Sequence, residues 1–173
     1  MRLKVFTVPG QVIHASTRRL VVQGADGIAF IADSQVAETQ NNAASFMDLK
    51  ENLKAHGINL KHMPVVIQFN KRDLPGIRSE AEIEQSSRQG REAVFLAVAT
   101  QGVGVVESFL GLLHLTWRSL ERAHGLSEKF GFDSARFLSQ VARSLGQDRP
   151  VAEILASCVG GQIEPATAVE GAR

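Results

Sequence analysis

The chain has 173 residues, of which 44% are hydrophobic and 21% are charged, and its formal net charge is +1. This composition favours one folded domain over a disordered chain. The small net charge argues against a nucleic-acid-binding protein, which would usually show a clustered basic excess. A single cysteine, no membrane-length apolar stretch and no signal-peptide pattern at the N-terminus favour a cytoplasmic protein.

Strand and helix patterns alternate along the first 124 residues. Continuous apolar runs predict strands at residues 3–8, 27–33, 63–69 and 93–99. Helical spacing of apolar residues, together with turn residues that end each segment, predicts helices at residues 16–23, 36–56, 80–89 and 104–123. This alternation predicts an α/β fold with three layers, in which helices cover both faces of a mostly parallel sheet. Ligands of such sheets bind in the loops at the carboxyl ends of the strands.

The pattern changes after residue 124. Asp133 is a predicted N-cap of a helix that ends near Gly146, and Pro150 predicts the start of a short helix through Ser157. Small and polar residues follow. We therefore predict an α/β domain over residues 1–124, a helical extension over 125–158 and a disordered tail over 159–173.

The strongest motif is the tetrapeptide Asn70-Lys71-Arg72-Asp73, which directly follows a predicted buried strand. An N-K-x-D sequence arises by chance in about one of fifty chains of this length. The Asp73 carboxylate can accept parallel hydrogen bonds from the ring N1–H and the amino group of guanine, and adenine has no such pair of donors. We expect Asn70 to brace the loop and the stem of Lys71 to lie along the base. The alternative is a polar turn in which Asp73 caps the segment that follows.

Two weaker motifs follow other predicted strands. Gly10, in the sequence TVPGQ, can present its N–H to a phosphate oxygen, and Gln11 beside it can orient an attacking water. The alternative is an ordinary Pro-Gly turn. After the last strand, backbone N–H groups near Ala99 and Thr100 can hydrogen bond to a guanine carbonyl.

Together these motifs resemble the guanine-nucleotide site of the Ras-like superfamily. More narrowly, the sequences TVPGQ, GIAFIADSQ, VVIQFNKRDLP and AVATQGVGV are similar to the MglA family of bacterial polarity GTPases. The resemblance implies that residues 1–124 are a partial Ras-like GTP-binding domain. It implies GTP or GDP as cofactor, Mg²⁺ in the intact domain, hydrolysis of GTP and a role in cell polarity or gliding motility. The implied partners are a roadblock-type GTPase-activating protein and polarity or motility effectors.

The resemblance also assigns roles to individual residues. Its cofactor-binding residues are Gly10, Asn70, Lys71, Asp73, Ala99 and Thr100. It makes Gln11 the catalytic residue that positions water. No residue is assigned to a metal, because Thr7 stands where most relatives carry an aspartate that helps to hold Mg²⁺, and the five histidines have no metal-like spacing.

One expected motif is missing, since no stretch of the sequence matches the G-x-x-x-x-G-K-[ST] phosphate loop. The resemblance places that loop, two strands, a helix and a switch loop ahead of the residues seen here. We therefore expect a fragment with impaired nucleotide binding that is inactive as a GTPase alone. The alternative is a nucleotide-free interaction module that binds a partner through the helix after Asp133. A receiver-like domain is a third alternative, but the acidic cluster that it needs is not found.

Overall fold

The computed structural model of the chain describes residues 2–8, 24–60, 62–88, 90–161 and 163. Its strands are β1 (Ile28–Asp33), β2 (Val65–Asn70) and β3 (Ala93–Leu96). Its α-helices are α1 (Thr39–Ala55), α2 (Glu80–Ser87), α3 (Val105–His124), α4 (Leu126–Phe130), α5 (Ser134–Ser144) and α6 (Val151–Leu155). Short 3-10 helices at Val36–Glu38 and Ala99–Gln101 precede α1 and α3. Among the described helices, none has the length and apolar character needed to cross a membrane.

The three strands form one parallel sheet in the order β1-β2-β3. Asp33 at the end of β1 lies beside Asn70 at the end of β2. A helix connects each strand to the next, as parallel neighbours require. Each observed strand overlaps a predicted apolar run, so the predicted α/β fold with a parallel sheet is confirmed.

Helices cover both faces of this sheet. Phe30 of β1 packs with Leu53 of α1 on one face. Because side chains alternate along a strand and Phe30 is paired with Ile67, the next residue of β2, Gln68, points to the other face. There it accepts a 2.6 Å hydrogen bond from the Ser108 hydroxyl of α3. The predicted three-layer arrangement is therefore confirmed.

The prediction of a strand at residues 3–8 is wrong. Residues 2–8 form no strand, and Leu3, Val5 and Phe6 are 42%, 71% and 67% exposed. A strand is stable only when its backbone groups pair with a neighbour and one face is packed. None of the three described strands pairs with this segment. The apolar run therefore has strand propensity, but no described strand pairs with it.

The helical extension packs against α3. Trp117 of α3 is 2% exposed and stacks on Phe137 of α5, with the ring centroids 4.8 Å apart. Asp133 caps α5 as predicted, since its carboxylate accepts a hydrogen bond from the N–H of Arg136 at 2.8 Å. Helix α4 was not predicted, because five residues are too few to show a helical period. The extension therefore shares its core with the α/β domain.

The two edges of the sheet have different surroundings. At the β3 edge, the N–H of Val94 donates to the carbonyl of Gly160 at 2.9 Å, and the N–H of Val159 donates to the carbonyl of Val94 at 2.8 Å. These contacts involve the first residues after the predicted extension, and most of the predicted disordered tail lies outside the described residues. At the other edge, no described strand pairs with β1, and Ile31 is 53% exposed.

Candidate functional site

The loops after the three strands meet at one end of the sheet. The N–H of Ser34, after β1, donates to the carbonyl of Asn70 at 2.9 Å. The N–H of Arg72, after β2, donates to the carbonyl of Ala97, after β3, at 3.1 Å. These backbone hydrogen bonds join the loops into one continuous surface at the carboxyl end of the strands, where ligands of parallel sheets bind.

Asn70 links the NKRD loop to the loop after β3. Its side-chain Oδ1 accepts a hydrogen bond from the N–H of Ala99 at 2.9 Å. This contact holds the two loops together, and the role of Asn70 in a nucleotide site stays a prediction. The same hydrogen bond occupies the N–H of Ala99, which was one of the groups predicted to donate to a guanine carbonyl. Thr100 follows in the first turn of the 3-10 helix, where backbone N–H groups have no partner within the helix.

The loop after β3 is held in shape by its own backbone and by two glycines. Val98 and Val103 pair across it, with N–H to carbonyl distances of 2.9 and 3.2 Å. Gly102 and Gly104 both have left-handed backbones, with φ values of 75° and 74°. At Gly104 an added Cβ would lie 2.0 Å from the carbonyl oxygen of Leu96, so a larger residue does not fit. The loop therefore has a fixed conformation beside Asn70.

The Lys71 side chain reaches across to the end of β1. Its Nζ lies 2.6 Å from Oδ2 of Asp33. Burial raises the pKa of Asp33, but hydrogen bonds from Lys71 and from the N–H of Gln35 outweigh it, and the pKa lies below its ordinary value. The hydrogen bond to Asp33 raises the pKa of Lys71 in turn. Both shifts favour the charged forms, so the two groups form an ion pair at neutral pH.

Asp33 itself is fixed by a side chain of α1. The amide of Asn42 accepts a hydrogen bond from the N–H of Asp33 at 3.1 Å and donates one to the carbonyl of Asp33 at 2.8 Å. Sequence reasoning assigned no role to either residue. Their separation of nine residues follows no motif, and only the path of the chain from β1 into α1 brings them together.

Asp73 is exposed, and its carboxylate makes no hydrogen bond or ion pair with the part of the chain that the structure describes. It does not cap the following helix. Helix α2 begins instead with a capping box in which Ser79 and Glu82 exchange hydrogen bonds. The alternative explanation of Asp73 as a cap is therefore not supported, and its oxygens remain available as acceptors.

Other predicted site residues are less informative. Gly10 and Gln11 lie outside the described residues. Thr7 is described and exposed. Over the described ranges, no group of three or more histidine, cysteine, aspartate or glutamate side chains could hold a metal ion.

Comparison with known proteins supports MglA-type homology. No protein-family model matches the chain. Over 121 residues, however, the chain is 36% identical to the mutual gliding-motility protein MglA of Myxococcus xanthus strain DK1622. The chain is homologous to the MglA-type small GTPases. The match covers 70% of this chain, which spans 62% of the length of that MglA.

The MglA-type homology confirms the family that TVPGQ and NKRD predicted. Proteins of the small GTPase family bind guanine nucleotides and Mg²⁺. In this MglA-like chain, the carboxyl end of the sheet presents Asp73 as an exposed acceptor beside a loop braced by Asn70. The predicted cofactor-binding residues that the structure describes therefore lie at and just after the ends of β2 and β3.

Proposed function

We propose that this chain contributes the guanine-selecting half of a small GTPase switch. The observation that carries the proposal is the Asp73 carboxylate, which is exposed and unpaired within the described chain. It stands beside a loop whose position is set by the bond between Asn70 and Ala99. A preformed loop with an unused acceptor can bind a base without first breaking contacts of its own.

Guanine fits this acceptor better than other bases do. Its N1–H and amino group would both donate to Asp73, while the N–H of Thr100 would donate to the guanine carbonyl. Charge-assisted hydrogen bonds contribute roughly 1.5–3 kcal/mol each. A base without the paired donors would leave the carboxylate desolvated and unpaired, and Asp73 therefore sets the preference for guanine.

The remaining roles come from the resemblance to MglA. In the intact domain, Gly10 would contact the γ-phosphate and Gln11 would orient the attacking water, with Mg²⁺ and a phosphate loop supplied by other residues. GTP hydrolysis would then control polarity or gliding motility through a roadblock-type activating protein and effectors. We expect the present chain to bind nucleotide far more weakly than the intact domain, because base contacts alone do not neutralise the phosphates.

The variant Asp73→Asn tests the base assignment. An amide accepts one guanine bond but places a donor against the other, whereas xanthine has a carbonyl where guanine has its amino group. We expect the variant to lose preference for GDP over xanthosine diphosphate in NMR titrations of the chain at high nucleotide concentration. Asp148→Asn, which changes an exposed carboxylate distant in sequence, is the control. An undiminished preference for GDP in the Asp73 variant would contradict the assignment.

A further inference from the structure

We propose that Asp33 is a positioning residue of the guanine site, which holds the ammonium group of Lys71 so that the lysine stem is ready to lie along the base. This inference rests on the proposed function of the NKRD loop. The side-chain hydrogen bonds of Asp33 within the described chain go to Gln35 and Lys71, and none goes to Asn70 or Asp73. It would act on the base through Lys71 alone.

Both carboxylate oxygens of Asp33 are already used. Oδ1 accepts the N–H of Gln35 at 2.9 Å, and Oδ2 lies 2.6 Å from Nζ of Lys71. The two partners differ in exposure, because the Asp33 side chain is 16% exposed and that of Lys71 is 53% exposed. The fixed member of the pair is thus the aspartate, and the lysine is the member that extends through solvent toward it.

The backbone conformation of Lys71 and the backbone hydrogen bonds of Asp33 also support this ion pair. Lys71 has a φ of 63°, and it is the one non-glycine residue with a left-handed backbone in the described part of the chain. Such a conformation is uncommon outside glycine, asparagine and aspartate and persists where the surrounding contacts hold it. At the other end, the amide of Asn42 satisfies both backbone groups of Asp33. The first turns of α1 therefore determine where the carboxylate stands.

This geometry would favour binding by ordering Lys71 in advance. A lysine side chain has many rotamers, and fixing them during binding opposes association. The ion pair restricts the ammonium end before the base arrives, so less freedom is lost when the stem contacts the base. Asp33 would then affect how tightly guanine and xanthine bind, while Asp73 determines which of them is preferred.

The substitution Asp33→Asn separates these two effects, because it removes the charge but keeps the size and the oxygen that accepts from Gln35. We expect the affinity of the chain for GDP to fall about three- to tenfold, with the preference for GDP over xanthosine diphosphate unchanged. In a Lys71→Met background, Asp33→Asn should have no further effect, since Asp33 works through the ammonium group. Asn42→Ala should give a smaller loss, and Asp148→Asn should give none.

NMR titration of the Asp33 carboxyl provides a readout that does not depend on nucleotide. The pKa should lie below its ordinary value in the parent and rise in Lys71→Met, and a pKa that does not move would overturn the inference. A loss from Asp33→Asn that persists in the Lys71→Met background would overturn it as well. If the parent binds GDP and Asp33→Asn binds it equally well, this inference fails alone. A parent that shows no GDP-induced shifts removes the proposed function and this inference with it.

Discussion

The two edges of the described sheet differ in how they are covered. The β3 edge is closed by the chain's own residues, with Val94 hydrogen bonded to Val159 and Gly160. The β1 edge has no partner among the described strands, and Ile31 beside it is 53% exposed. The loops after β2 and β3 are joined by the hydrogen bond from the N–H of Ala99 to the side chain of Asn70. The chain's own residues therefore cover one edge of the described sheet and leave the other without a described neighbour.

The largest expected effect is a difference in the free energy of unfolding between a side-chain truncation on β3 and one on β1. Phe95 of β3 is 1% exposed and packs in the cluster with Val66 and Ala93, so we expect Phe95→Ala to lower the free energy of unfolding by roughly 3–5 kcal/mol. Ile31→Ala should cost less than about 1 kcal/mol, because the side chain is already half in water. Urea denaturation of both variants makes the comparison.

One outcome of the urea denaturation experiment would contradict this comparison of the two edges. Equal losses at Phe95 and Ile31 would mean that Ile31 is covered in solution and that the β1 edge is not open. That result would favour a sheet completed by the chain itself, and with it the alternative of a nucleotide-free interaction module.

A smaller effect should appear in self-association. An exposed strand edge is a template for pairing with another chain, and a charged residue on it discourages such pairing. We expect the parent to form larger species as its concentration rises in size-exclusion chromatography, and Ile31→Lys to weaken this association by about tenfold with little change in unfolding. A parent that stays monomeric and melts in one cooperative transition would show that the edge is satisfied.

Local sequence signals predicted the parts of this molecule that depend on local physics. The strands around Phe30 and Phe95 follow from continuous apolar runs, and the cap at Asp133 follows from its place before an amphipathic segment. Asn70 was expected to brace its loop, and in the structure its side chain accepts a hydrogen bond from the N–H of Ala99, while its role in nucleotide binding stays a prediction.

The wrong strand prediction at residues 3–8 and the missed contacts of Asp33 have a common physical origin. Both depend on partners that are distant in sequence. Residues 3–8 have the composition of a strand, but no described strand pairs with them. The contacts that link Asn42, Asp33 and Lys71 depend on how α1 leaves β1 and on the left-handed backbone of Lys71. Neither feature has a spacing or composition that a single sequence shows. The family resemblance supplied roles for the NKRD residues, but it did not indicate the aspartate that holds the lysine.

The most direct test of the central claim is a ¹H–¹⁵N NMR titration of the unmodified chain with GDP and, separately, with ADP. If the chain carries a guanine-selecting half-site, GDP should shift the amides around Asp73 and Thr100 with low affinity, ADP should not, and the amides of α5 and α6 should stay unchanged. Equal shifts with both nucleotides, or GDP-induced shifts confined to the helical extension, would contradict the claim.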